Sequence, residues 1–472
     1  MNREMNILLI ARNEWKKAWH DLRFRLAVVL LPVVFVCGTA AFVSNWHNQQ
    51  KEYKAYDKSQ ASHHYKEWGW SLTDVAISTQ EFRQPPRLSQ LIDPCGESRL
   101  PGSFRYSAFG LKDYYASYST GNPLTGQSDN FSWAFVVKVM FSFVTLLLAF
   151  NAVSGEKERH TLGLVLTYPV SRWQVLTGKV LCVLGQVGGL LAACIVLAIG
   201  VLLAGGIAVD GLFLWLCVGF WLLGMAYLAV FACLGVLASV VCRSSRGSLL
   251  LCVGCWLLFV LLLPGSKLWI GRHLYPTEVS YRQMQDSLLA DVNRLITETP
   301  AEAFATDDEY PFNPIHRERS AVLLRINDAR LKRLEEWDGI NRKQYERVEQ
   351  LVACSPVELF ARANAYWLDG GYMRFRKNEV ALESFCHDLL EWFRKEDAQD
   401  PESPHWLNPQ EHLSTSQRPV EKAKTPVPVY QEPYVGLLQR LSNALIPVLA
   451  LLLTGFACLA GAWYRFRRYD VR

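Results

Sequence analysis

Apolar residues along this chain come in long blocks rather than at the regular intervals of an amphipathic soluble protein. Residues 180–203, 212–241 and 249–263 carry almost no charge. Each approaches or exceeds the roughly 20 residues that cross about 30 Å of hydrocarbon as a helix. Similar blocks at 26–44, 131–153 and 436–464 bring the expected spans to six: the first at 26–44, the second at 131–153, three within 176–264 and the sixth at 436–464. Gly205, Gly206 and Asp210 mark one turn between spans, and Arg243 to Arg246 another. Ahead of the first span, residues 1–25 set Arg3, Arg12, Lys16, Lys17, Arg23 and Arg25 around Ile7, Leu8, Leu9, Ile10, Trp15 and Trp19. That pattern reads as a basic amphipathic helix on a membrane surface. The first apolar block is long and lacks a small-residue cleavage site, so it is expected to stay as a span rather than be removed as a signal peptide.

Two polar stretches interrupt the spans. Residues 45–130 begin with a helix-like run at 49–68 and become turn-rich around Pro85, Pro86, Pro94, Pro101 and Pro123. Residues 265–435 form the larger one. There Leu323, Leu324, Ile326, Leu331, Leu334, Trp337, Ile340, Tyr345 and Val348 recur at helical spacing, 381–393 is a shorter amphipathic run, and the Pro-containing stretch 422–433 reads as an extended linker. The expected fold class is an all-α polytopic membrane protein of six transmembrane helices. To these it adds an N-terminal amphipathic surface helix and two periplasmic domains, the larger mainly helical.

Charge sets the orientation. The N-terminal basic cluster, then Lys157, Arg159, Arg172 and Lys179, then Arg243 and Arg246, then Arg465, Arg467, Arg468 and Arg472 alternate in register with six spans and fall on one side. By the positive-inside rule that side is the cytoplasm, which puts both termini, including the tail 465–472, inside and both polar stretches in the periplasm. Lys267, Arg272 and Arg440 lie near outer ends, but long domains translocate largely regardless of charge. A net charge of +5 over 472 residues does not point to nucleic acid.

Most of the twelve cysteines sit inside apolar blocks, where Cys behaves as a small hydrophobe. Cys252 and Cys255 have C-x-x-C spacing within a span and no second pair, which favours packing over metal. Cys95, Cys354 and Cys386 fall in the polar stretches, and whether two of them pair is left open by the sequence. No metal site is expected: His47, His63 and His64 lack a third ligand at suitable spacing, and Asp307, Asp308 and Glu309 read as a solvated turn. Lys138, about seven residues into the second span, is a candidate for a translocation path, with snorkelling to the headgroups as the plainer reading.

The segment 154–175 stands apart. Ser154-Gly155-Glu156-Lys157-Glu158-Arg159 is a dense charged turn, followed by His160, Thr161, Leu162, Gly163, Leu164, Val165, Leu166, Thr167 and Tyr168, then a break at Pro169 before Ser171 and Arg172. The apolar run is too short to span a membrane and suits a surface helix able to fill a groove on a soluble partner. A plain inter-helix loop with inside charges is the alternative.

The same segment resembles the signature between the second and third helices of type-2 ABC permeases. The six-span plan and N-terminal surface helix are similar too, and the two polar stretches resemble a subgroup with enlarged periplasmic domains, one after the first span and one before the last. His160 stands where that pattern usually has Gly, and Gly163 where a polar residue often stands. The resemblance implies a coupling helix that docks on a nucleotide-binding subunit, with Gly155, Glu156, Lys157, Glu158, Arg159, Thr161, Leu162, Leu164, Leu166, Tyr168 and Pro169 as the coupling set. It implies an ABC ATPase subunit as partner, a second permease subunit (homodimer or related permease), a lipid environment and a possible periplasmic partner. No phosphate-binding G-x-x-x-x-G-K-[ST] loop is present, since Gly178-Lys179 is followed by Val180. The chain is therefore expected not to be an enzyme by itself, with ATP and magnesium bound by the partner ATPase and no cofactor in this chain. The function implied is the permease subunit of an exporter; the alternative is a membrane-anchored periplasmic interaction or sensor protein. An intramembrane enzyme is disfavoured, because no nucleophile set, paired carboxylates or metal ligands lie within the spans.

Overall fold

The computed structural model describes residues 21–60, 70–112, 132–163, 171–300 except 278, 314–410 and 415–468 except 421, 422 and 424, together with residue 15. Of the N-terminal surface helix expected at 1–25, only residue 15 and residues 21–25 lie within that set. The fold is an all-α polytopic membrane protein. Among the described residues six helices are long and apolar enough to cross a membrane: Leu22–Asp57, Trp133–Glu158, Arg172–Ala204, Gly211–Val241, Ser245–Gly265 and Leu437–Arg467. They are the first to sixth spans below. The first helix outruns its expected apolar block, continuing to Gln60 through polar sequence with no Gly or Pro to stop it.

Span boundaries follow from local chemistry. Ser171 caps the third span in a capping box with Gln174, Asp210 caps the fourth by accepting from the Phe213 N–H at 2.9 Å, and Ser244 caps the fifth by accepting from Gly247. The bundle core is large and aromatic: Phe35, Trp133, Phe141, Phe220, Tyr227 and Phe231 are all fully buried. Trp133 donates its indole N–H to Thr39 Oγ at 3.0 Å, which satisfies the one polar atom that this ring brings into the core. Outward-facing Leu438, Ile446, Leu453, Leu250 and Leu262 leave an apolar girdle suited to lipid.

Two spans depart from regular α-helix. Val137–Phe141 in the second span and Leu257–Leu262 in the fifth are π-helical. A π-turn sets carbonyls out of register with the usual i→i+4 ladder, so they need other donors. The Lys138 carbonyl takes two, from Ser142 Oγ at 2.6 Å and from the Tyr227 hydroxyl of the fourth span at 2.8 Å.

The second polar stretch contains a helix that the apolar pattern does not disclose. Pro356–Leu368 enters the bundle instead of lying outside it. Phe360 stacks on Tyr227 with ring centroids 4.8 Å apart, while Trp367 donates to the Leu216 carbonyl at 3.0 Å. Tyr227 is about 24 Å along the fourth span from its Gly211 end at 1.5 Å per residue, so this short helix runs antiparallel to the span and reaches its midpoint. Backbone at such depth is tolerated because protein surrounds it: Val357, Phe360, Ala363 and Leu368 belong to the bundle core. At its entry the Ser355 hydroxyl donates to the Phe259 carbonyl in the π-turn of the fifth span at 2.7 Å. Gly219 makes room for it, since a Cβ there would stand 2.1 Å from the Trp367 ring.

The remaining polar residues build one domain from both stretches. A three-stranded antiparallel sheet, β1 (Gln80–Arg83), β2 (Ser103–Ser107) and β3 (Gly110–Leu111), pairs Phe82 with Phe104 and Tyr106 with Leu111. Its apolar side packs on the helix Gly371–Asp397 through Phe104 on Phe375 (5.2 Å) and Tyr106 on Phe385 (5.8 Å). Helices Tyr281–Thr297 and Pro314–Val352 complete it, the latter covering the helical run expected from Leu323 to Val348. All twelve cysteines are free thiols; Cys386 is buried in this core, Cys95 is partly buried and Cys354 is exposed.

Buried ion pairs tie the two stretches together. Arg374 is almost fully buried and holds Glu432 in a fork, Nε to Oε1 at 2.8 Å and Nη2 to Oε2 at 3.0 Å, while Arg87 reaches the same carboxylate at 2.6 Å. Burial alone would raise the Glu432 pKa, but the Arg374 hydrogen bond and the charges of Arg374, Arg87 and Lys377 outweigh it and bring it from 4.5 to about 2. A carboxylate depressed in the fold contributes stability that is present above its unfolded pKa and is lost as pH falls through the folded one. Thermal stability of the purified protein is thus expected to fall between pH 4.5 and about 2. That slope should flatten in Glu432→Gln; an unaltered slope in the variant would assign the acid sensitivity elsewhere.

Candidate functional site

The charged turn 154–159 sits where the basic ends of four spans converge, and three of its four charges, Glu156, Lys157 and Glu158, are used within the chain. Val153 and Ser154 donate their N–H groups to Ser239 Oγ of the fourth span at 2.9 and 2.8 Å. Lys157 extends along the last turn of that span and donates to the carbonyls of Val240 (2.6 Å), Cys242 (3.1 Å) and Ser239 (3.4 Å). These are orphan acceptors at the negative end of a 31-residue helix, so a cation there satisfies both hydrogen bonding and the macrodipole. Glu158 does the converse at the start of the fifth span, accepting from Ser245 N–H at 2.8 Å and Ser245 Oγ at 2.6 Å. Glu156 pairs with Lys179 of the third span at 2.6 Å.

The sixth span joins the same knot. Arg172 donates to the carbonyls of Phe466 (2.6 Å) and Arg467 (2.9 Å), capping its C-terminal end as Lys157 caps the fourth. Leu162 is buried with Val180, Val183, Val236, Ala462 and Phe466, drawn from the third, fourth and sixth spans. The charged turn is a short helix, Ser154–Glu158, which ends as His160 takes a left-handed backbone at φ +53°. A glycine adopts that conformation without penalty, which explains why Gly is usual at this position in the pattern that the segment resembles.

The expected coupling residues therefore divide into groups. Glu156, Lys157, Glu158 and Leu162 face partners within the chain, Gly155 lies between them partly buried, and Arg159 and Thr161 are exposed together with His160. Leu164, Leu166, Tyr168 and Pro169 lie outside the described residues. Ser239, Ser245, Lys179 and Arg172 complete the arrangement. Ser239 is a lone hydroxyl in an apolar span; only the partner it meets, 85 residues away in sequence, gives it meaning.

The chain matches the family described as ABC-2 family transporter protein over residues 8–325, which takes in the first five spans and the whole charged turn. It belongs to that family. No curated protein matches the chain closely enough to add to this. Members are the membrane-spanning component of an ABC transporter, so an ABC ATPase partner is implied. The knot at the basic end thus lies in an ABC-2 permease, at the segment between the second and third spans.

Lys138 lies far from that knot, on the π-turn of the second span. It pairs with Asp93 of the first polar stretch at 3.1 Å, and Asn364 of the helix Pro356–Leu368, called the re-entrant helix below, donates to the same carboxylate at 3.4 Å. Nearby, Lys267 bridges Glu349 (2.7 Å) and Glu358 (2.5 Å), and Arg362 meets Glu349 at 3.3 Å. Burial opposes the charge on Lys267, yet Glu358 and Glu349 outweigh it and raise its pKa. These pairs rim a cavity of about 730 Å³ between the second span, the fifth span and the re-entrant helix.

Proposed function

We propose that this ABC-2 permease is the membrane subunit of an exporter in the bacterial inner membrane, with both termini cytoplasmic and both polar stretches in the periplasm. The reading is supported above all by the charged turn, which ties the basic ends of the third to fifth spans to the segment expected to meet the ATPase, with Arg172 later in that segment tying the sixth. A push on this segment is felt by four helices at once, because Glu156, Lys157, Glu158 and Arg172 each hold a different span. Two permease halves, identical or related, would work with two ATPase subunits. ATP and magnesium would bind on those subunits alone. The enlarged periplasmic domain is consistent with the subgroup that the polar stretches resemble and leaves room for a periplasmic partner.

Docking itself is assigned to the exposed start of the segment, Arg159 and Thr161, and to the apolar run containing Leu164, Leu166 and Tyr168, with Pro169 ending it. Co-expression with its ABC ATPase partner tests this. Arg159→Glu combined with Leu164→Ala and Tyr168→Ala is expected to reduce co-purification at least tenfold, on the order of 2 kcal/mol for a contact set at a partner groove, with thermal stability unchanged. Wild-type association in that variant would remove docking from this segment.

A further inference from the structure

Both π-helical turns of the bundle border one cavity. Lys138 and Val139 come from the π-turn of the second span, Val260 and Leu261 from that of the fifth, and Ala361 and Arg362 from the re-entrant helix. Coincidence of two such rare turns at a single void is unusual, since π-turns inside helices cluster where function needs a local change of side-chain direction. At about 730 Å³ the cavity is of the size that holds one small molecule.

Its walls are of two kinds. On the membrane side Phe135, Val139, Val260, Leu261 and Pro264 are apolar. Phe135 and Leu261 are also 48% and 47% exposed, so they form an edge open to the apolar girdle between the second and fifth spans. On the domain side the wall is charged and aromatic. Asp93 is matched by Lys138, while Glu349 and Glu358 share Lys267 and Arg362. Glu346 also lines the cavity, is exposed, and has no ion pair among the described residues, which leaves four carboxylates against three cations. Tyr345, Tyr366 and Tyr372 line the same wall, the rings of Tyr345 and Tyr372 with centroids 4.4 Å apart. Phenol rings and an excess carboxylate on one cavity wall favour an ammonium group over an anion.

We propose that this cavity is a binding site for an amphiphile with a cationic head, entered sideways from the membrane leaflet next to the polar domain. The chain of the ligand lies along Val139, Val260 and Leu261, and its ammonium group sits at Glu346 among Tyr345, Tyr366 and Tyr372. This gives the transport reading a substrate class and rests on that reading for its physiological meaning, but the binding step does not depend on it.

The test uses full-length protein in lipid nanodiscs, titrated with a dodecylamine carrying a fluorophore at its chain end and with the dodecyl sulfonate labelled in the same way. Saturable binding is expected for the amine, about tenfold tighter than for the sulfonate, as one carboxylate and a cation–π contact imply. Glu346→Gln, an exposed change that leaves packing alone, should remove most of that preference, and Ala361→Trp should abolish binding by filling the void. Equal affinity for the two heads, or wild-type binding in Glu346→Gln, overturns the site. Efficient disulfide formation between two copies of Leu261→Cys would assign the open edge to permease pairing and overturn lateral entry. No ATPase is present in these assays. Failure of ATPase association would therefore count against the transport reading, and failure of amine binding against this site alone.

Discussion

Replacing Arg374 by Met is expected to lower the stability of the polar domain by about 3–5 kcal/mol, the range for breaking a buried ion pair from one side. The cost comes from what stays behind. Glu432 keeps Arg87 at 2.6 Å and Lys377 at 3.9 Å but loses its two-pronged partner, and the Pro85 carbonyl loses the guanidinium N–H that reaches it at 3.0 Å. Glu432 lies a few residues before the sixth span, and Arg440 of that span reaches Asp369 at 3.8 Å. Loss of Arg374 should thus loosen the linker as well as the domain. Thermal unfolding of the detergent-purified protein reads the loss, and protease cutting around 425–435 reads the loosening. Arg374→Lys should recover only part of it, because an ammonium cannot make the fork. Wild-type unfolding and cutting in Arg374→Met would show that the network is replaceable.

The spans were legible in the sequence because crossing a membrane demands a local property, a run of apolar residues, that survives without knowledge of neighbours. The re-entrant helix Pro356–Leu368 was not, for the opposite reason. Glu358, Arg362 and Asn364 make it read as soluble, and its depth is set by what they meet elsewhere: Lys267, Glu349 and Asp93. Thirteen residues are also too few to register as a span. The charged turn announced itself by composition and by its resemblance to a family signature, but the direction of its side chains did not. Glu156 and Glu158 look alike in sequence, yet one meets a lysine 23 residues on and the other a helix N-terminus 87 residues on. Lys138 was legible as an anomaly within a span; its partner Asp93 lies 45 residues earlier, in a turn that nothing local connects to the membrane.

Glu156 offers the sharpest way to separate holding the spans together from touching a partner. Glu156→Lys would set two ammonium groups at the 2.6 Å contact now made with Lys179, whose side chain is only 6% exposed. The expected cost is again about 3–5 kcal/mol, because one buried charge is left uncompensated and a like charge is added. Lys179→Glu alone should be similarly harmful. In the double variant, Glu156→Lys with Lys179→Glu, the pair is rebuilt with its sign inverted, and a coupling energy of about 1–3 kcal/mol should return as regained stability. Three readouts decide the matter together: thermal stability, co-purification with the ABC ATPase, and ATPase stimulation in the assembled complex. If Glu156 acts as a brace between the charged turn and the third span, both single variants lose stability and stimulation and the double variant regains both. If it contacts the ATPase, the double variant regains stability but not association, since the partner still meets a lysine at position 156. Neither pattern would appear if the pair were dispensable: stability, association and stimulation would stay at wild-type levels in all three variants, and the charged turn would hold its spans through Lys157 and Glu158 alone.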